Sequence, residues 1–167
     1  MIDYGYDIDT INSISDILKH KYETLAVAES VTAGQLQVAF SLAEGATQIF
    51  QGGITAYNIG QKSRHLLIDP IHAGNCNCVS EKVADQMAAQ VISLFAADWG
   101  IAITGYASPV PEQNIHDLFA HYAIYYRGKC VKHERITSPN NDVLTVRLHF
   151  TNTVLKKFYE TCRQIGI

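Results

Sequence analysis

The sequence lacks a basic excess. Lysines and arginines number 13 against 16 aspartates and glutamates, a formal net charge of −3. No positive field argues for nucleic acid as a partner. The sequence also lacks any apolar run near the roughly 20 residues that span a bilayer, so no membrane partner is expected. Its opening stretch, MIDYGYDIDT, is acidic and has no signal-peptide core, which points to the cytoplasm. There is no repeat, low-complexity stretch or linker. The 167 residues, 47% hydrophobic and 17% charged, read as one domain over 1–167 with a single sizeable core. No G-x-S-x-G elbow is present, since Ser30 stands in Glu29-Ser30-Val31, which argues against an ordinary α/β hydrolase. Zinc-type cysteine pairs are missing too. Of Cys76, Cys78, Cys130 and Cys162, only the first two are close, and one intervening residue is fewer than the usual roughly two to four. His72 precedes that pair and makes a metal site conceivable, but free thiols in a reducing compartment are the simpler account.

What is present is a regular alternation of elements. Asp9 or Thr10 caps a first helix with Ile11, Ile14, Leu18 and Tyr22 on one face. A strand follows near Thr24–Ala28, and Ser30 opens a helix carrying Leu36, Val38, Ala39 and Leu42. Glu44–Thr47 reads as a loop, Gly52–Tyr57 as a second strand and Gln61–Leu67 as a short helix. Asp69-Pro70 and Gly74–Cys78 read as a longer loop. Ser80 caps a helix with Val83, Met87, Val91 and Leu94 at helical spacing. Trp99–Thr104 is a near-continuous apolar strand, as in a sheet covered on both faces. Strands at Ala120–Tyr126 and Cys130–Ile136 join through Arg127-Gly128-Lys129 as a hairpin. A last helix starts at Ser138–Asn141, with Leu144, Leu148, Thr151, Leu155, Phe158 and Cys162 on one face. The order predicts an α/β fold: a three-layer α/β/α sandwich around a mixed, mostly parallel sheet.

Three strand ends carry polar groups: Ser30, then Tyr57 and Lys62, then Thr104-Gly105. In a parallel sheet the C-terminal strand ends converge on one edge. A serine, a lysine and a tyrosine gathered there suffice for acyl transfer without histidine, because a lysine kept neutral by burial takes the serine proton. The helix start after Ser30 offers backbone N–H groups to an anion or a carbonyl oxygen. Each residue also has a plainer reading. Ser30 reads equally as a helix cap, Lys62 as a solvated lysine and Tyr57 as packing.

The segments AESVTAGQL, QGGITAYNIGQK, VSEKVADQMA and IAITGYASP, in this order and spacing, resemble the CinA C-terminal domain family, which includes the nicotinamide mononucleotide deamidases. The match runs from about Thr24 to Pro109 and resumes near Asp142–Arg147. The resemblance implies hydrolysis of the nicotinamide mononucleotide amide to nicotinate mononucleotide and ammonia. By position, Ser30 matches the nucleophile, Lys62 its base and Tyr57 the tyrosine near it. Thr32, Ala33 and Gly34 match the turn after the serine, and Thr104, Gly105 and Arg147 complete the implied substrate-binding set. No metal or cofactor is implied, and association as a homodimer or larger assembly is.

The chain departs from the family pattern AES-C-T-G-G in having Val31 and Ala33. The glycine-rich run after ITG is replaced by Ala107-Ser108-Pro109-Val110-Pro111, which restricts the backbone and removes N–H donors. Near the C-terminus, where the family reads G-D-R-x-x-V-R, this chain has Asn141, Asp142, Val143 and then Arg147. Loss of that first arginine removes a cation able to hold a phosphate. The residues therefore leave two functions open: an amidohydrolase, or a relative that binds a nucleotide or partner without turnover. The hairpin tyrosines Tyr122, Tyr125 and Tyr126 predict apolar surface beyond what one core hides, again favouring an oligomer.

Overall fold

A computed structural model describes residues 4–139 and 142–165. The elements run α1 (Ile8–Lys21), β1 (Leu25–Glu29), α2 (Gln35–Ser41), α3 (Ala46–Ile49), β2 (Phe50–Thr55), α4 (Ile59–Leu66), α5 (Pro70–Asn75) and α6 (Glu81–Phe95). They continue with β3 (Trp99–Gly105), a 3₁₀ turn (Pro111–Gln113), β4 (Leu118–Tyr126), β5 (Lys129–Ser138) and α7 (Val143–Gln164). The five strands form one mixed sheet in the order β2-β1-β3-β4-β5. β1 pairs in parallel with β2 and β3, while β3–β4 and β4–β5 are antiparallel. The expectation of a mostly parallel sheet is thus corrected: the parallel and antiparallel pairings are equal in number. The helical crossovers end at β3. β4 and β5 are joined by a tight turn at Arg127 and Gly128, both left-handed, and such a turn reverses the chain.

Strand alternation divides the core in two. Leu25, Val27, Trp99, Ile101, Ile103, Tyr122 and Ile124 pack with residues of α1, α2 and α7. Ala26, Ala28, Ala102 and Ala123 pack with residues of α4 and α6. One face carries bulk and the other mostly alanine, so α6 lies very close to the sheet. Gly100 marks the closest approach: a Cβ there would stand 2.3 Å from the Ala88 carbonyl oxygen.

Several local expectations are corrected. Asp7, not Asp9 or Thr10, caps α1, its carboxylate accepting from Thr10 N. Tyr22 leaves the apolar face as the exposed, left-handed C-cap. Pro70–Asn75 is a helix rather than a loop, because Asp69 caps it and Pro70 suits its first turn. Ala46–Ile49 is likewise a short helix. Leu94 and Leu144 point outward, as do Val38 and Leu42. α7 starts after Asp142, whose carboxylate accepts from Leu144 N and Thr145 N. The start expected at Asn140 and Asn141 lies outside the described residues. Ser80 caps α6 as expected, accepting from Val83 N. Among the described residues no helix is long and apolar enough to cross a membrane.

Candidate active site

The site follows from how β1 ends. Its neighbours diverge there: the chain leaves β1 through α2 and α3 on one face and reaches β3 through α4–α6 on the other. The crevice of an open α/β sheet forms at such a switch. Ser30 N donates to Ile103 O, and Ala56 N donates to Glu29 O, so the end of β1 is held from both sides. A cavity of about 570 Å³ opens at this edge.

Ser30 does not open a helix, which corrects the sequence reading. The residues Val31–Gly34 form a turn, and α2 begins only at Gln35. The start of α2 is occupied from within. The buried Glu29 carboxylate accepts from Gly34 N (3.1 Å), Leu36 N (3.0 Å) and Gln37 N (2.9 Å), and from the Thr32 hydroxyl. The N–H groups expected to meet an anion or a carbonyl oxygen already hold one. Sequence reasoning passed over Glu29. Its signal was a lone acid closing an otherwise apolar strand just before a helix.

Ser30 and Lys62 meet. Asn58 caps α4, its side chain accepting from Gln61 N, and this helix carries Lys62 inward. Lys62 is 1% exposed. Its Nζ lies 2.8 Å from Ser30 Oγ and donates to Ala56 O at 2.7 Å. Among the described residues no carboxylate forms an ion pair with it. Burial holds the amine below the ordinary lysine value, against an opposite pull from the Cys78 thiol. Burial in turn pushes the Cys78 thiol up, opposed by Lys62.

Tyr57 lies on the cavity wall, and its hydroxyl is hydrogen-bonded to Arg147 rather than to Lys62. It is 61% exposed, and its hydroxyl accepts from Arg147 Nη2 at 2.9 Å. Arg147 Nε is buried with no hydrogen-bond partner among the described residues. Thr104 and Gly105 line the cavity, and the Thr104 hydroxyl donates to Cys78 O at 2.7 Å. Thr32, Ala33 and Gly34 are not part of the wall. Thr32 and Gly34 serve Glu29, and Ala33 is held at φ 52°, a left-handed conformation that favours glycine.

The wall also holds residues that sequence reasoning missed. Asn77 and Cys78 stand consecutively in the left-handed region, at φ 49° and 61°. Asn77 donates to Tyr106 OH and to Gln113 Oε1, tying two loops together. Val143, at the position of the missing arginine, lines the cavity beside Arg147.

A family model, the CinA C-terminal domain, matches residues 8–162. The chain belongs to the CinA C-terminal domain family. It is 43% identical over 107 residues to a CinA-like protein of Synechocystis sp., covering 64% of this chain and 26% of that protein. A CinA-like protein of Picosynechococcus sp. is 44% identical over 96 residues, 58% of this chain and 23% of that one. The chain thus spans about a quarter of the length of these curated relatives. Among solved structures it resembles the CinA superfamily protein of Enterobacter cloacae, with a TM-score of 0.88 and 24% identity over 97% of this chain and 95% of that one. The CinA superfamily protein of Escherichia coli gives 0.82 and 25% identity, over 95% and 91%. These likenesses support the CinA fold assignment.

Proposed function

We propose that this chain is an amidohydrolase that converts nicotinamide mononucleotide to nicotinate mononucleotide and ammonia. The observation that carries the reading is the 2.8 Å contact between a buried Lys62 amine and Ser30 Oγ beside the cavity. A neutral amine has two N–H groups and one lone pair. With one N–H given to Ala56 O, the lone pair is free to accept the serine proton. Ser30 Oγ then attacks the carboxamide carbon. Val31 lines the cavity, and among the described residues no group accepts from its N–H, so this N–H is the donor assigned to the developing oxyanion. The Lys62 ammonium returns its proton to the nitrogen as the C–N bond breaks and ammonia leaves. Water, deprotonated by Lys62, cleaves the Ser30 ester to the carboxylate and free serine. Arg147, oriented by Tyr57, takes the phosphate with the outer N–H groups of its guanidinium, which lines the cavity.

A second reading is favoured by one specific feature. Val143, Ala107 and Val110 present apolar groups to the cavity, and on this part of the wall only Ser108 and Arg147 carry side-chain donors. A chain that binds a nucleotide without turning it over fits that wall. Ammonia release from nicotinamide mononucleotide by the pure protein decides between them. Steady release supports hydrolysis; tight binding with no release supports the second reading.

We further infer a cytoplasmic homo-oligomer, but not from the hairpin tyrosines. Tyr122 is fully buried, and Tyr125 and Tyr126 pack partly into the cores. The supporting surface is the α4–α5 junction, where Leu67 and Ile71 are 68% and 77% exposed. Light scattering that gives a monomer mass at micromolar concentration overturns this.

A further inference from the structure

β5 is an edge strand, and its sequence contains Cys130-Val131-Lys132-His133. Strand alternation places residues three apart on opposite faces. Cys130 and His133 nevertheless share one. The ladder pairs Tyr125 with Cys130 and Ile124 with Lys132, which leaves Val131 as an extra residue without a partner. A bulge of this kind shifts the alternation once and re-aims a side chain. The partners of Cys130 and His133 are Tyr125 and Ala123, and both pack in the core beneath α6. Cys130 and His133 therefore face α6, where Glu81 and Asp85 stand one helical turn apart.

The side chains converge. Cys130 Sγ lies 3.7 Å from Asp85 Oδ1. His133 Nδ1 lies 3.5 Å from Asp85 Oδ2 and 3.4 Å from Glu81 Oε1. Ligand atoms of Asp85, Cys130 and His133 all fall within 4.8 Å of one another. Zinc bonds of about 2.0–2.3 Å in a tetrahedron set neighbouring ligand atoms about 3.3–3.8 Å apart. Three pairs measure 3.4–3.7 Å, Asp85 meeting Cys130 through one oxygen and His133 through the other. Contact with two carboxylates accounts for His133 but gives the thiol no part. A thiol, an imidazole and carboxylates together form a donor set for zinc-like ions.

We propose that Asp85, Cys130 and His133 bind a divalent transition-metal ion of the zinc class, the fourth position going to water or to Glu81, whose carboxylate lies 3.4 Å from His133. None of the four lines the cavity, so the ion takes no part in the proposed hydrolysis. It ties the sheet edge to the first turns of α6, directly after the cavity-wall segment Asn77–Val79.

The test uses the full chain, stripped with chelator and titrated with Co²⁺. One equivalent should give a thiolate-to-cobalt charge-transfer band and the intense visible bands of tetrahedral cobalt. Zn²⁺ should bleach both and raise the melting temperature by several degrees. Cys130→Ser should abolish the charge-transfer band. His133→Ala and Asp85→Asn should each weaken binding tenfold or more. Cys76→Ser should leave the titration unchanged, which separates this site from the Cys76–Cys78 segment. No band in the wild type at millimolar Co²⁺, the same band in Cys130→Ser, or its loss in Cys76→Ser overturns the proposal.

Discussion

Lys62 approaches Ser30 from inside the protein: the amine is buried, the hydroxyl borders the cavity, and 2.8 Å separates them. Hydrolysis by this pair makes the two residues one unit. Ser30→Ala and Lys62→Ala should each lower kcat by about 10³-fold or more, and the double variant should lose no more than either single one. Steady-state ammonia release measures all three. Losses that multiply in the double variant would show two independent contributions.

Titration of Lys62 sets the pH dependence. The base form is the neutral amine, so kcat/KM should rise with pH through a value below the ordinary lysine range and then level off. The sign for stability follows from the same shift. Between the depressed folded value and the ordinary one, the unfolded chain binds a proton that the folded chain does not. Stability therefore rises with pH across that window. Lys62→Met should raise the melting temperature at pH 7 by a few degrees, and the gain should shrink as pH approaches the ordinary lysine value. Thermal melts across the alkaline range read this directly.

Val143→Arg restores a cation to the cavity wall beside Arg147. KM for the nucleotide should fall roughly tenfold, about 1.4 kcal/mol, with kcat changed less than about twofold. The same variant assayed on the nucleoside, which lacks the phosphate, should show no gain.

Glu29 fills a structural role that its neutral isostere cannot. Glu29→Ala leaves the N–H groups of Gly34, Leu36 and Gln37 and the Thr32 hydroxyl without their acceptor. The expected loss is about 3 kcal/mol or more in urea denaturation. Glu29→Gln keeps the shape but replaces one acceptor oxygen with a donor, so it should recover only part of that loss.

Gly100→Ala tests how tightly α6 sits. The added methyl meets the Ala88 carbonyl oxygen, which is backbone and cannot rotate away. A loss of about 1–3 kcal/mol is expected. Ala33→Gly should act in the opposite direction, since it relieves a left-handed alanine on the turn after Ser30.

Much of this was legible in the chain itself. The apolar run Trp99–Thr104 and the Ser80 cap announced β3 and α6, because both signals are local. The meeting of Ser30 with Lys62 was foreseen from strand ends that must converge on one edge. What escaped notice depended on tertiary contact. Nothing local says that Glu29 folds back onto the start of α2, or that Tyr57 reaches Arg147, 90 residues away in sequence. The Val131 bulge escaped for a similar reason: it exists only in the pairing with β4, and period-two reading places Cys130 and His133 on opposite faces. The alternation of elements implies too parallel a sheet, because a hairpin's two strands announce each other but not their direction relative to β3.

The Glu29 carboxylate fills the start of α2 from within, and this changes what buffer anions can do. Phosphate and sulfate commonly compete with nucleotides by settling at exposed helix starts. At α2 that berth is taken by a covalently tethered group that no concentration of solute displaces. Competition between inorganic anions and substrate is therefore left to other parts of the cavity wall. With Arg147 in its proposed phosphate role, such competition should report on Arg147 rather than on the turn that carries the serine.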